Sequence, residues 1–280
     1  MSQTALISRL NELPRLQKIL QELLDMVNQD DVDFGQLANK IGMEQILSAR
    51  LLRMANSAHF GGNKTVSSVN DALIRVGSGP VKTLVVASVL SSAFPKVPSL
   101  DMTEYWTNTF EVATLASKIA MASGVENGID ANEAFTAAIL HNIGELMIHT
   151  LAPEDARTVA DLVEAGQDEL SAQQEVLGTT APELGALLAK TWKFPDHMVG
   201  AIKHYPDSPQ SAEKPRLAVV LHFARDIHAN WDEQEDDKAK ATFIATHQDS
   251  RALIISSAVR ESIDKVRGNG ADMATQMMAA

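Results

Sequence analysis

The chain has 280 residues, of which 36 are acidic and 24 basic, so its formal net charge is −12. This excess of negative charge argues against a nucleic acid or an anionic membrane surface as the partner, because both attract basic protein faces. The absence of cysteine excludes disulfides and cysteine-based metal sites or nucleophiles, whereas 45% apolar residues are enough for a sizeable core.

The N-terminus lacks the basic region and the apolar core of a secretory signal. The longest apolar run, around residues 84–90, is too short to span a bilayer. We therefore expect a cytoplasmic protein that does not bind a membrane.

Apolar residues recur at helical spacing before residue 95, which predicts an N-terminal helical lobe over residues 1–95. Asp33 and Gln36 have the spacing of a capping box, and Gly77 is a typical helix stop. The tract between the third and fourth helices has two adjacent glycines, which predicts a turn. Five helices are predicted in this lobe: from Leu13-Pro14 to Val27, from Asp33 to Ile41, from Gln45 to Asn56, from Ser67 to Val76 and from Ser78 to Phe94.

Residues 95–101 carry two prolines and are interpreted as the junction to a second helical lobe, residues 96–267. Thr103 is expected to cap a long helix that Gly124 ends. Further helices are predicted over residues 130–150, 153–165, 168–177, 181–192, 195–204, 215–231 and 237–266, the last of them broken near His247.

No stretch of the chain alternates apolar and polar residues, so no sheet is predicted and the fold class is all-α. The tail, residues 268–280, has no apolar stripe to bury and is predicted to be disordered.

The helix predicted over residues 130–150 contains the most informative polar residues. Its apolar side chains cover most sides, so we expect it to be buried. His141, Asn142 and Glu145 lie within it. Because burying polar groups costs free energy unless they find partners, these side chains need hydrogen bonds or a function.

Several motifs together resemble those of one bacterial family. They are Leu13-Pro14, residues 51–61 (LLRMANSAHFG), residues 66–77, Trp106, residues 137–146 (AAILHNIGEL), residues 175–185, Trp192 with Pro195, and residues 204–206 (HYP). Over residues 13–227 the chain resembles the HDOD family, all-helical relatives of the HD-type metal phosphohydrolases in bacterial signalling. The resemblance implies a two-lobed helical fold with an HD-like C-terminal lobe.

HD-type hydrolases hold one or two divalent metals with a first His, an adjacent His-Asp pair and a later Asp, and the metal activates a water. Carried onto this chain, the His-Asp pair becomes His141-Asn142. An asparagine amide has no anionic charge and cannot bridge two metals. The first-His position falls near Thr109, and Asp226 is the candidate for the final carboxylate.

Two further positions lack imidazoles that the family often has. The His between two glycines is replaced by Ala181, and the His-His pair becomes His204-Tyr205. The resemblance therefore implies no catalytic residue, no bound metal and no cofactor. It implies a vestigial pocket formed by His141, Asn142, Glu145, His204 and Asp226.

Other interpretations of these residues stay open. His141 is either a core histidine paired with Glu145, which lies four residues on, or the ligand of a single metal, or the centre of an active phosphohydrolase. His204 is either a pocket ligand or a helix-end residue. Asp226 is either a ligand or a solvated carboxylate.

Two groups outside the pocket have a structural and a functional interpretation. Asn56 and Ser57, with the turn at Gly61, are predicted to pack a helix end against the turn, or to bind a partner. Trp106 and Trp192 are expected in the core or between the lobes, or they line a small-molecule pocket.

The joint loss of metal-ligand chemistry predicts a non-catalytic HDOD regulator of bacterial signal transduction that acts through protein–protein interaction. The resemblance implies partners in trans among sensor kinases, response regulators or cyclic di-GMP enzymes, and it is compatible with a homodimer. The alternatives are a metal-dependent phosphohydrolase or phosphodiesterase acting on a nucleotide or cyclic dinucleotide, and a nucleotide sensor without turnover. The acidic balance weighs against both alternatives, because phosphates need local positive charge.

Overall fold

The computed structural model describes residues 18–27, 32–57, 60, 65–94, 97–126, 128–206 and 214–278. Within these ranges every regular element is a helix and no strand occurs, which confirms the predicted all-α fold. The predicted helix start at Leu13-Pro14 and the turn at Gly61 lie outside the described residues.

The helices before residue 95 follow the predicted pattern closely. They are α1 Lys18–Val27, α2 Phe34–Gly42, α3 Gln45–Ala55, α4 Val69–Val76 and α5 Ser78–Ala93. Asp33 caps α2 as predicted, because its carboxylate accepts a hydrogen bond from the Gln36 backbone N–H at 3.0 Å. The cap of α4 is Ser68 and not Ser67, since the Ser68 hydroxyl accepts from the Asp71 backbone N–H at 3.1 Å.

The helices after residue 97 lie close to their predicted places, but the described residues form twelve of them, more than predicted. They are α6 Met102–Ala122, α7 Ala131–Leu140, α8 Ile143–Leu151, α9 Pro153–Glu164, α10 Glu169–Leu177, α11 Ala181–Thr191, α12 Asp196–His204, α13 Arg216–Asn230, α14 Asp237–Thr246, α15 Gln248–Ala252, α16 Arg260–Asp264 and α17 Asn269–Met278. Short 3₁₀ turns occur at Trp231–Glu233 and Ser257–Val259. The predicted break near His247 is confirmed. Asp101, not Thr103, caps α6, because its carboxylate accepts from two backbone N–H groups, those of Thr103 and Glu104.

The prediction of one helix over residues 130–150 is wrong, because the chain leaves the helix at His141 and Asn142 and resumes as α8. Asn142 has φ −105° and ψ 10°, outside the helical region. Beyond the break, Gly144 lies against the carbonyl oxygen of Ala181, which a Cβ at position 144 would approach to 1.8 Å. Only glycine allows this approach, and it brings α8 onto α11.

Helix α6 is the central element of the fold, and it packs against α7, α13 and α17. Helix α5 is buried along most of its length and packs against both α1 and α7. It therefore joins the helices before residue 95 to those after it. The buried apolar side chains form one continuous core.

The prediction of a disordered tail over residues 268–280 is wrong for its described part, which forms α17. The buried carboxylate of Glu111 on α6 accepts hydrogen bonds from the backbone N–H groups of Gly268 and Gly270, at 3.0 and 3.1 Å. It also pairs with Arg267 at 3.2 Å. A Cβ at Gly270 would lie 2.3 Å from the carbonyl oxygen of Thr107, so glycine is needed for this contact. The carboxylate of Glu111 therefore holds the start of α17 against α6, although this segment has little apolar surface to bury.

No helix in the described ranges is by itself long and apolar enough to cross a membrane. Helices α4 and α5 meet that requirement only when they are taken as a pair, and they meet at an angle of 115°.

Candidate functional site

His141 closes α7 and is buried, with 4% of its surface exposed. Its Nδ1 lies 2.5 Å from the carbonyl oxygen of Ala138. Because a carbonyl can only accept, Nδ1 carries the proton and Nε2 keeps its lone pair. The ring also meets the Tyr205 ring edge to face, with 5.5 Å between centroids.

A fixed positive charge lies beside this imidazole. Arg225 on α13 is an exposed residue, but its guanidinium lies over the Tyr205 ring, 5.1 Å from the centroid, and donates a hydrogen bond to the Tyr205 hydroxyl at 2.9 Å. Burial and then the charge of Arg225 lower the pKa of His141 to about 3. His141 is therefore neutral at physiological pH.

The predicted pairing of His141 with Glu145 is wrong, because the helix breaks between them and the four-residue spacing no longer places them on one face. Glu145 instead accepts a hydrogen bond from the side-chain amide of Asn142 at 2.7 Å. Burial raises the pKa of Glu145, and the bond from Asn142 and the charge of Arg225 oppose that rise. Asn142 thus serves as the internal partner of a carboxylate.

The remaining family positions are occupied by Thr109, Ala181 and His204. Thr109 is buried on α6. Ala181 begins α11, where its backbone N–H donates to the Gln173 side chain at 2.7 Å. His204 is the last residue of α12 and half-buried, and it is the next residue, Tyr205, that contacts His141.

The structure does not bring Asp226 into this pocket. Asp226 accepts a hydrogen bond from Nε2 of His247 at 2.9 Å and lies near His222. Its neighbour Arg225 contacts the pocket instead. Sequence reasoning missed Arg225 because the register of the segment LHFARDIHA on α13 could not be decided from its apolar pattern.

A groove of about 270 Å³ opens beside Glu145. Its lining carries three carboxylates and one imidazole, and no lysine or arginine is among the described lining residues. The lining residues are Glu145, Ile148, His149, Ala156, Val159, Ala160, Val163, Glu164, Glu169 and Gln173. Burial raises the pKa of Glu169, and the carboxylate of Glu145 raises it further. The groove is thus poorly suited to a phosphate group.

The other predicted residues have structural surroundings. The Asn56 side chain bonds both the backbone N–H and the carbonyl of Val66, at 2.8 Å each, and so ties the end of α3 to the segment before α4. The Ser57 hydroxyl donates to a carbonyl of the last turn of α3. Trp106 is buried on α6, and Trp192 is half-buried against the core at the end of α11.

The pocket around His141 therefore offers one neutral imidazole, one amide that is already paired, one partly buried carboxylate and a guanidinium. A pair of divalent metals would need bridging carboxylates and no competing cation. The residues present do not fit such a pair.

Comparison with known proteins gives one family and several relatives. The HDOD domain model matches residues 13–208. A crystal structure of a candidate phosphohydrolase from Shewanella amazonensis SB2B is 37% identical, with 98% of each chain covered and a TM-score of 0.86. A candidate signal transduction protein from Marinobacter aquaeolei VT8 is 22% identical, with a TM-score of 0.77, 96% of this chain covered and 60% of that chain.

An uncharacterized protein of Treponema pallidum (strain Nichols) is 25% identical over 223 residues, which are 77% of this chain. The chain spans 42% of the length of that relative.

Proposed function

The chain belongs to the HDOD domain family, and on this basis we propose that it is a non-catalytic regulatory protein of bacterial signal transduction that acts by binding other proteins. The observation that carries the proposal is the positive charge of Arg225, which acts on the imidazole of His141. A divalent cation beside His141 would be repelled by this charge, because like charges repel.

The charge balance of the pocket supports the same conclusion. Asn142 stands where the related hydrolases have an aspartate, and its amide is bound to Glu145. The adjoining groove is lined by carboxylates. Neither a metal-activated water nor a bound phosphate is favoured by this arrangement.

A partner-binding role is supported by apolar side chains exposed on the N-terminal helices. Met43 at the end of α2 is 71% exposed, Ile46 on α3 is 47% exposed and Ile74 on α4 is 70% exposed. These three helices pack on one another. Contiguous exposed apolar patches are typical of surfaces that bind proteins, and we propose that these three side chains form one. The proposed partners are sensor kinases, response regulators or cyclic di-GMP enzymes.

Affinity capture from the native bacterium, quantified by mass spectrometry, tests the partner-binding proposal. The full chain is compared with Met43→Glu and Ile74→Glu, which place a charge on this surface. Met121→Glu is the matched control, because Met121 is 67% exposed but lies on α6. We expect a signalling protein that the wild type and the control retain and that the two variants lose. Equal capture by all four proteins would contradict this surface.

A phosphohydrolase acting on a nucleotide or cyclic dinucleotide is the second candidate. It is favoured by the name of the Shewanella relative and by the orientation of His141, whose N–H points to a carbonyl as in many metal-ligating histidines. It predicts turnover with manganese, magnesium or nickel that His141→Gln abolishes. We expect no turnover, and no saturable nucleotide binding by calorimetry.

A further inference from the structure

A second cluster of imidazole and carboxylate groups lies where α13 meets α15. His222 and Asp226 are four residues apart on α13 and therefore share one face, and Asp249 comes from the first turn of α15. One potential ligand atom of each residue lies within 4.8 Å of the other two. We propose that His222, Asp226 and Asp249 form a binding site for one divalent transition-metal ion of the zinc class.

The distances suit a small ion after a slight opening of the cluster. Nδ1 of His222 lies 2.5 Å from Oδ2 of Asp249 and 3.6 Å from Oδ2 of Asp226. Metal bonds of roughly 2.0–2.2 Å in a tetrahedral site separate the ligand atoms by roughly 3.4 Å. One of the two distances is thus close to the required value, and the other needs an increase of under an ångström.

Asp249 provides independent evidence for a missing ligand, because one of its buried oxygens has no hydrogen-bond partner among the described residues. Its side chain is fully buried, with 0% exposed. One oxygen bonds to His222, and the other, Oδ1, has no hydrogen-bond partner among the described residues. A buried carboxylate oxygen without a partner costs free energy. A cation held by both oxygens of Asp249 would supply the missing interaction and neutralise the two carboxylates.

His247 is not one of the three proposed ligands, but it forms hydrogen bonds with two of them, Asp226 and Asp249. Its Nδ1 accepts a hydrogen bond from the Asp249 backbone N–H at 3.2 Å, so Nε2 carries the proton and donates to Asp226 at 2.9 Å. Its ring is packed against Phe223 and Phe243, with centroids 4.6 and 5.4 Å away. Hydrogen bonds of this kind fix metal ligands before the ion arrives.

The site has access to solvent and a ligand set that selects among metals. The side chains of His222 and Asp226 are 26% and 36% exposed, so an ion can enter and water can complete its coordination. One imidazole with two carboxylates favours zinc and neighbouring transition metals over calcium or magnesium, which prefer oxygen ligands alone. All three ligands lie beyond residue 208, where the HDOD match ends.

Calorimetric titration with zinc tests the proposal on the full chain after dialysis against a chelator. We expect one zinc per chain, confirmed by elemental analysis, and cobalt in place of zinc should give the visible absorption of a low-symmetry protein site. Asp226→Asn keeps an oxygen that can accept from His247 but removes the charge, and His222→Gln removes the imidazole. Each should weaken zinc binding by at least roughly 100-fold, and His247→Gln by roughly 10-fold.

Three variants serve as controls for charge, imidazole content and location. Asp232→Asn removes an exposed carboxylate, and His228→Gln removes another histidine of α13; both should bind zinc as the wild type does. His141→Gln should also bind normally. Absence of binding, wild-type affinity in His222→Gln or Asp226→Asn, or loss of binding only in His141→Gln would each overturn the proposal. Circular dichroism confirms that each variant is folded. Phosphohydrolase activity that depends on His141 would contradict the proposed function and leave this site unaffected.

Discussion

Arg225 and Asp226 are adjacent on α13, yet they belong to two different clusters and bring charges of opposite sign to them. Arg225 lies over Tyr205 and adds a positive charge to the pocket of His141. Asp226 joins His222 and His247 and adds a negative charge. A cation binds an imidazole more tightly where the fixed neighbours of that imidazole carry unbalanced negative charge. By this criterion the pocket that the family motif marks is the poorer metal site, and the cluster beyond the motif is the better one.

The largest expected effect concerns the helix packing behind the His141 pocket. Gly144→Ala places a Cβ against the Ala181 carbonyl, which forces α8 away from α11. We expect a loss of roughly 3 kcal/mol in the free energy of unfolding, measured with urea. Gly42→Ala on α2 is the control, because a Cβ there meets no atom within 4 Å, and it should stabilise by about 0.5–1 kcal/mol. If Gly144→Ala and Gly42→Ala had similar free energies of unfolding, a side chain at position 144 would be tolerated between α8 and α11.

Zinc should stabilise the protein through the second cluster. At a free zinc concentration of about 100 times Kd, the free energy of unfolding should rise by about 2.7 kcal/mol. Thermal or urea unfolding with and without zinc measures this change. At the same zinc concentration the rise should fall to about 0.4 kcal/mol or less in Asp226→Asn and be fully present in His141→Gln. If zinc stabilised Asp226→Asn but not His141→Gln, the zinc site would be the pocket of His141 and not the second cluster.

The buried, neutral His141 predicts a specific pH dependence. Its pKa is about 3 in the folded protein against 6.5 for an ordinary histidine, so between these values the unfolded chain binds the extra proton. The stabilisation is complete above pH 6.5 and is lost as the pH falls towards 3. From about pH 7.5 to about pH 5 the loss should be about 2 kcal/mol. His141→Gln should lack this part of the pH dependence, and parallel urea-unfolding profiles for the two proteins would refute the assignment.

The smallest expected effect isolates the charge of Arg225. Arg225→Ala removes the positive charge that lowers the pKa of His141, so that pKa should rise. Histidine ring signals in an NMR pH titration report it directly. Arg251→Ala is the control, because Arg251 is exposed and bonds a carbonyl at the end of α14. An unchanged pKa in Arg225→Ala would mean that burial alone sets the state of His141.

Much of the fold follows from local patterns in the sequence. Apolar spacing located most of the helices, and Asp33 caps α2 as the capping-box spacing predicts. The caps at Ser67 and Thr103 were misplaced by one or two residues, because the neighbouring Ser68 and Asp101 are equally suited by type. A choice between adjacent capping residues depends on backbone direction, which a sequence pattern does not carry.

The site was predicted less completely than the fold. The motif identified His141 and Asn142, but the break between α7 and α8 changed the partner of Glu145 from the histidine to the asparagine. The tail was expected to be disordered because it has no apolar stripe. The anchor that orders it is Glu111, a buried carboxylate 157 residues earlier in the chain.

The sequence by itself determined that this protein is helical, acidic and free of cysteine, and that an asparagine, Asn142, follows His141. These properties depend on residue type and on spacing within one or two helical turns. Only the tertiary structure decided that Arg225 contacts the first pocket, that Asp226 turns to His247, and that Asp249 joins them from another helix. The physical reason is that a charge acts on whatever lies within a few ångströms of it, and the packing of helices distant in sequence sets those neighbours.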